Sequence, residues 1–197
     1  EVAATVEQEN LIRLGVNAGL DADSHFSLRG DFQVDSLAYE AEARLHAKTR
    51  GVLGRWLSER APATPDGTAE LTWGGGGTIA PAESDGAPAH RGNLALDLSD
   101  FAFPDRPALS GAIRLSHADA SAELSEFRLT GAGLTLSGQG GWDGETVRLS
   151  EWSLRDEIGH AMLSLDASAP FDPSFEGDFL DQTAPLHLDL ALDRLAP

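Results

Sequence analysis

The side chains able to do chemistry are scattered along this sequence rather than grouped. Six histidines stand at 25, 46, 90, 117, 160 and 187, and no two share the short spacing at which one helix or strand holds a metal. Asp21-Ala22-Asp23 could offer carboxylates to calcium. The glycine and distal glutamate of a helix-loop-helix calcium site are missing, however, and a turn explains these residues better. Gly138-Gln139-Gly140-Gly141-Trp142-Asp143-Gly144 has the glycine density of a phosphate-cradling loop, but it opens no helix, and Trp142-Asp143-Gly144 fits a hairpin turn. There is no Gly-x-Ser-x-Gly elbow, and the absence of cysteine removes thiol nucleophiles, thiolate zinc sites and disulfides together. Carboxylates are plentiful, yet nothing in their order pairs two of them for acid–base work, and solvated strand faces account for them. The sequence therefore predicts a chain that is not an enzyme, with no catalytic residue, no metal ligand set and no cofactor.

The four tryptophans, Trp56, Trp73, Trp142 and Trp152, are the remaining candidates, as platforms for sugar stacking. Trp152 occupies a position that phenylalanine fills in related segments, which makes packing the better account. Trp142, beside a turn, is the one considered for a surface role. Charge narrows the partners further. The 14 basic and 32 acidic side chains give a net charge of −18, a field that repels nucleic acid and anionic membrane surfaces. No stretch approaches the roughly 18 apolar residues of a membrane helix. The chain opens on Glu1 without a methionine, and the expectation is a single β domain over 1–197 cut from a longer protein.

What must position these residues is a set of strands, because apolar residues recur at every second place. Ile12, Leu14, Val16 and Ala18 do so, as do Phe26, Leu28, Gly30 and Phe32, and Tyr39, Ala41, Ala43 and Leu45. The second half continues with Leu94, Leu96 and Leu98; Leu109, Ile113 and Leu115; Leu134 and Leu136; Leu163 and Leu165; and Leu186, Leu188 and Leu190. Successive strand side chains point to opposite faces, so the pattern predicts an antiparallel sheet with one apolar and one wet side. Turns are expected at Asp21–Ser24, Gly138–Gly144 and Asp156–Gly159. Val52, Leu53, Trp56 and Leu57 break the alternation and predict a short helix over 49–62, capped by Thr49 and closed by Pro62. The Gly- and Pro-rich stretch 74–92 is expected to be a flexible loop.

An internal repeat sits on this pattern. Leu98-Ser99-Asp100-Phe101, Leu124-Ser125-Glu126-Phe127 and Leu149-Ser150-Glu151-Trp152 resemble one another and, more loosely, Val34-Asp35-Ser36-Leu37. Across each polar pair the apolar parity flips. A flat strand would turn its second half outward, and a bulge at the pair restores the inward aim and curves the sheet, bent along one line when every copy flips at the same place. The alternative is two short strands meeting at the corner of a sandwich. The expected fold is thus all-β, a repeat-built and strongly curved antiparallel sheet.

The passages Leu149–Ser168 and Leu129–Gly140 resemble repeat units of the AsmA/TamB superfamily of bacterial envelope proteins, most closely over 94–169. The resemblance implies a β-taco, an open groove with an apolar interior. It further implies a periplasmic location in a Gram-negative bacterium, a parent protein anchored in the inner membrane, and phospholipid transport or outer-membrane protein assembly. On that reading the partner is a phospholipid or another acyl-chain ligand, with outer-membrane assembly proteins as further partners. Membrane contact would come only through other parts of the parent chain. The groove face would comprise Leu94, Leu96, Leu98, Phe101, Leu109, Ile113, Leu115, Phe127, Leu129, Leu134, Leu136, Leu149, Trp152, Leu163, Leu165, Leu186, Leu188 and Leu190. The competing expectation is a non-catalytic sandwich or stalk that binds another protein through a loop or edge, for example at 74–92.

Overall fold

The computed structural model describes residues 2–8, 10–49, 66–79, 89–103, 105–171 and 187–192. Each alternating run is a strand. In chain order they are β1 (Val2–Gln8), β2 (Leu11–Gly19), β3 (His25–Gln33), β4 (Ala38–Lys48), β5 (Asp66–Thr78) and β6 (Ala89–Ala102). They continue with β7 (Leu109–Ala118), β8 (Ser121–Gly131), β9 (Leu134–Trp142), β10 (Thr146–Arg155), β11 (Ala161–Pro170) and β12 (His187–Leu192). The strands form one 12-stranded sheet in sequence order, every neighbouring pair antiparallel. Among the described residues β1 and β12 each have one neighbour, so the sheet is open, about 50 Å across at the usual strand spacing.

Short turns allow this simple meander. Asp143 Oδ1 accepts the backbone N–H groups of Glu145 (3.2 Å) and Thr146 (2.9 Å), and Gly144 takes a φ of 100°. Asp156 Oδ1 does the same for Ile158 (3.1 Å) and His160 (2.8 Å), with Gly159 at φ 82°. The Asp156 turn and the one at Asp21–Ser24, where Leu20 N–H reaches Ser24 O at 2.8 Å, lie where the sequence places them, and the Asp143 turn lies at the end of the expected 138–144.

The bulges also appear where parity demands them. Pairing slips by one residue between Leu98 and Phe101, between Leu124 and Phe127, and between Leu149 and Trp152. Asp100 and Glu151 adopt the left-handed φ values of 52° and 58° that such a bulge calls for. β6, β8 and β10 each run through their bulge as one strand, which removes the sandwich-corner alternative. Two expectations about the repeat need correction. Val34–Leu37 is the hairpin turn between β3 and β4, not a bulge within a strand. The bulges of β8 and β10 stand at one level, since Leu124 and Leu149 share a register row through Gly140, but the β6 bulge lies beyond Leu98, four residues past the Leu94 of that row.

The expected loop at 74–92 is also corrected at both ends. Gly74–Thr78 finish β5 and Ala89–Gly92 begin β6, and they pair with each other in the interior of the sheet. Glycine here serves close approach. A Cβ on Gly75 would lie 2.6 Å from Arg91 O and 2.8 Å from the Trp73 ring. Most of 138–144 is likewise strand, with only Asp143–Glu145 turning. The expected helix over 49–62 falls outside the described residues, except Thr49, which is buried and bonded through N–H (3.0 Å) and Oγ1 (3.1 Å) to Gly67 O.

Candidate functional site

Cross-strand register converts the alternation into rows of side chains that traverse the sheet. One row runs Val16, Leu28, Ala43, Trp73, Leu94, Leu115, Leu124, Gly140, Leu149, Ala167 and Leu188. A second runs Ala18, Phe26, Leu45, Leu71, Leu96, Ile113, Phe127 and Gly138, and resumes past the β10 bulge with Trp152, Leu165 and Leu190. A third contains Ala47, Ala69, Leu98, Gly111, Leu129, Leu136, Leu154, Leu163 and Leu192. Phe101, Leu109, Gly131 and Leu134 form a shorter fourth. Every residue expected on the groove face thus lies in these rows except Leu186, which falls outside the described residues.

The rows make one contiguous apolar face, and its side chains are stitched across strands over small residues. The Phe127 and Trp152 rings, on β8 and β10, lie 4.9 Å apart above Gly138, whose hypothetical Cβ would be 2.6 Å from Trp152 Cε2. Tyr39 Oη and His90 Nδ1, on β4 and β6, meet at 3.0 Å across the position of Gly77. Trp142 is drawn into the same face, edge-on to Phe171 at 6.4 Å, rather than offered to solvent as a platform. Its row partners are Ala122 and Val147.

Nothing among the described residues covers this face. Ala47 is the one buried apolar residue among those described, while Leu188 is 58% and Leu190 55% exposed. Among the described residues a packed core is replaced by side chains that are for the most part half-buried. The sequence list of face residues missed the contribution of β2 to β5, above all Phe26, Leu28, Leu45, Leu71 and Trp73. The same period-two alternation was present there to find them.

The opposite face is polar and carries a cleft of about 1340 Å³ that crosses β2 to β10. Two register rows of polar parity line it, with the row Leu14, Gly30, Ala41, Gly75, Gly92, His117, Ala122 and Trp142 between them. Arg13, Asp31, Glu40, Gly76 and Arg91 form one; Gly15, Arg29, Glu42, Gly74, Asn93, Ser116, Glu123, Gly141 and Arg148 form the other. Arg13 Nε lies 3.3 Å from Asp31, and Arg148 2.8 Å from Asp143, so much of its charge is met within the sheet. The backbone N–H groups of Thr146 and Glu145, and Arg148 beyond them, hold the Asp143 carboxyl below its ordinary value of 3.8. This cleft was not foreseen, because only register brings residues so far apart in sequence onto one row.

Tertiary structure also pairs two of the scattered histidines. The His25 and His46 rings stack at 5.2 Å, and His46 Nδ1 meets Glu70 Oε1 at 3.0 Å. Among the described residues, no three His, Asp or Glu side chains are grouped to hold a metal. Comparison of the chain with protein-family models, curated proteins and solved structures finds no match.

Proposed function

We propose that the apolar face is a binding surface for acyl chains, and that the protein shields phospholipid tails during transport across the periplasm or during assembly of outer-membrane proteins. The observation that carries this reading is a single-layer, open sheet whose apolar rows cross every strand from β2 to β12, with no second layer packed on them among the described residues. Large contiguous apolar patches on a protein surface mark binding surfaces. Acyl chains fit this face chemically. Each methylene removed from water contributes about 0.8 kcal/mol, and the rows present mainly Leu, Ile, Ala and Phe side chains to it. The acidic charge of the molecule keeps anionic headgroups away from its walls.

Native mass spectrometry of the protein after exposure to bacterial phospholipid vesicles tests the reading. Bound phospholipid is expected, and the double substitution Leu96→Asp with Ile113→Asp, in the middle of the second row, is expected to abolish it while far-ultraviolet circular dichroism stays that of a β protein. Lipid-free protein at saturating lipid would overturn the proposal and favour an interaction module. In that case 74–78 and 89–92 would not be the binding edge, since both are paired inside the sheet.

A further inference from the structure

The apolar face differs from one end of its strands to the other. From β6 to β11 its third and fourth rows carry only leucine, phenylalanine and glycine. At the opposite end, past the first row, lies the row through Gly75, Gly92, His117, Ala122 and Trp142. It shares the parity of Trp73 and Leu94, so its side chains also point to the apolar face. The next row out holds Tyr39, Gly77 and His90. Polar side-chain atoms therefore gather at this end, between β4 and β9.

Three indoles on the face show what that end lacks. In the second row, Trp152 Nε1 donates to Gln139 O at 2.7 Å. Trp142 Nε1 is buried and has no hydrogen-bond partner among the described residues. Trp73 lies across two glycines, its Cζ2 2.8 Å from where a Gly75 Cβ would stand and its Nε1 3.0 Å from the place of a Gly92 Cβ. His117 Nε2 is 2.8 Å from that same Gly92 point. Two ring nitrogens, from β5 and β7, thus converge over a buried glycine of β6, and neither has a hydrogen-bond partner among the described residues. An indole N–H can only donate, and an imidazole Nε2 donates in one of its tautomers. The end of the face is rich in donors and short of acceptors, an imbalance that folded proteins avoid unless something else supplies the acceptor.

We infer that Trp73 Nε1 and His117 Nε2 hold the glycerol-ester carbonyls of a phospholipid, and so fix where along the strands the lipid stops. This rests on the acyl-binding reading of the face. Ester carbonyls are acceptors without charge, which suits a molecule of net charge −18 better than a phosphate does. Indole and phenol groups at the border of hydrocarbon are the pattern of membrane interfaces, where the ring is apolar and its tip meets the polar part of the lipid. The charged head then lies past the Tyr39–His90 pair, at the outer margin of the face. The tails run over the four apolar rows, which follow one another at about 7 Å along the strands. Glycine at 92 leaves open the space in which a carbonyl is received, since a Cβ would stand against both nitrogens.

Competition between two lipids tests this. The protein is exposed to vesicles holding equal amounts of a diester phosphatidylcholine and its diether counterpart, which has the same chains but no ester carbonyls. Native mass spectrometry separates the two bound lipids by mass. The diester lipid is expected to be enriched about tenfold, the effect of two neutral hydrogen bonds of ordinary net strength. Trp73→Phe combined with His117→Phe keeps both rings and removes both donors. It should bring the two lipids to equal occupancy at unchanged far-ultraviolet circular dichroism. Equal binding of the two lipids by the unaltered protein overturns the inference and leaves the acyl-binding reading standing, as does a diester preference that survives the double substitution. Protein that binds neither lipid overturns both.

Discussion

β2 to β5 and β6 to β11 are two solutions to the same problem of keeping one face apolar. In the first region pairing proceeds without a slip from Leu11 opposite Gln33 to Lys48 opposite Thr68, because strict alternation never breaks. In the second, each Leu-Ser-acid-aromatic segment carries one residue too many for its partner strands, and the extra residue is absorbed in a bulge. The difference teaches that alternation alone suffices for register, whereas a repeat that changes parity needs a bulge, with backbone strain at Asp100 and Glu151 in two of its three copies. That strain is visible at Glu151, a residue type with no intrinsic liking for φ 58°.

The largest expected effect comes from removing the device. Deleting Glu151 takes away the bulge and turns either Trp152 and Leu154 or the first half of β10 toward the polar face. The loss of the Trp152–Phe127 contact and of one row segment should destabilise the protein by about 3 kcal/mol, read from urea unfolding. If unfolding is unchanged, the bulge is incidental.

A second comparison sets two strand glycines against each other. Gly138→Ala drives a Cβ into the Trp152 ring and should cost about 1–3 kcal/mol. Gly74→Ala, where a Cβ meets nothing within 4 Å, should be neutral or stabilising by about 0.5 kcal/mol. Equal effects at the two sites would contradict the packing over Gly138. A gain of about 0.5–1 kcal/mol is expected for Glu151→Gly, which keeps the bulge and relieves its left-handed φ. The corresponding change at Leu37, φ 51° in the β3–β4 turn, tests whether the regular region stores strain of the same kind.

The smallest effect is electrostatic. Asp143 has a lowered pKa in the folded state, so its contribution to stability is present above the ordinary value of 3.8 and is lost as pH falls through the lower folded value. The difference in urea midpoint between the parent and Asp143→Asn should therefore be present at neutral pH and shrink as pH drops below 3.8. A difference that persists unchanged in strong acid would assign the effect to turn geometry instead of charge.

Much of the molecule was legible in its residues. Strand class, antiparallel pairing, the turns at Asp143 and Asp156, and the three bulges all follow from period-two patterning and short-range side-chain chemistry, which act within a few residues. The two ends of the stretch 74–92 misled because glycine is a local sign of a loop, whereas Gly75 and Gly77 let β5 approach β6 and make room for the Trp73 ring; 80–88 lie outside the described residues. Gly138 misled for the same reason, its purpose being set by a tryptophan 14 residues later in sequence.

The order of residues determined by itself which side chains share a face, since parity along a strand is a property of the chain. Only the tertiary structure decided which strands neighbour which, and so assembled the apolar rows across the sheet, the polar cleft from β2 to β10 and the open edge at β12. The physical reason is that backbone hydrogen bonds between strands carry no side-chain identity. Parity restricts the registers, and the turns and bulges select among them, but the row itself exists only once the strands have paired.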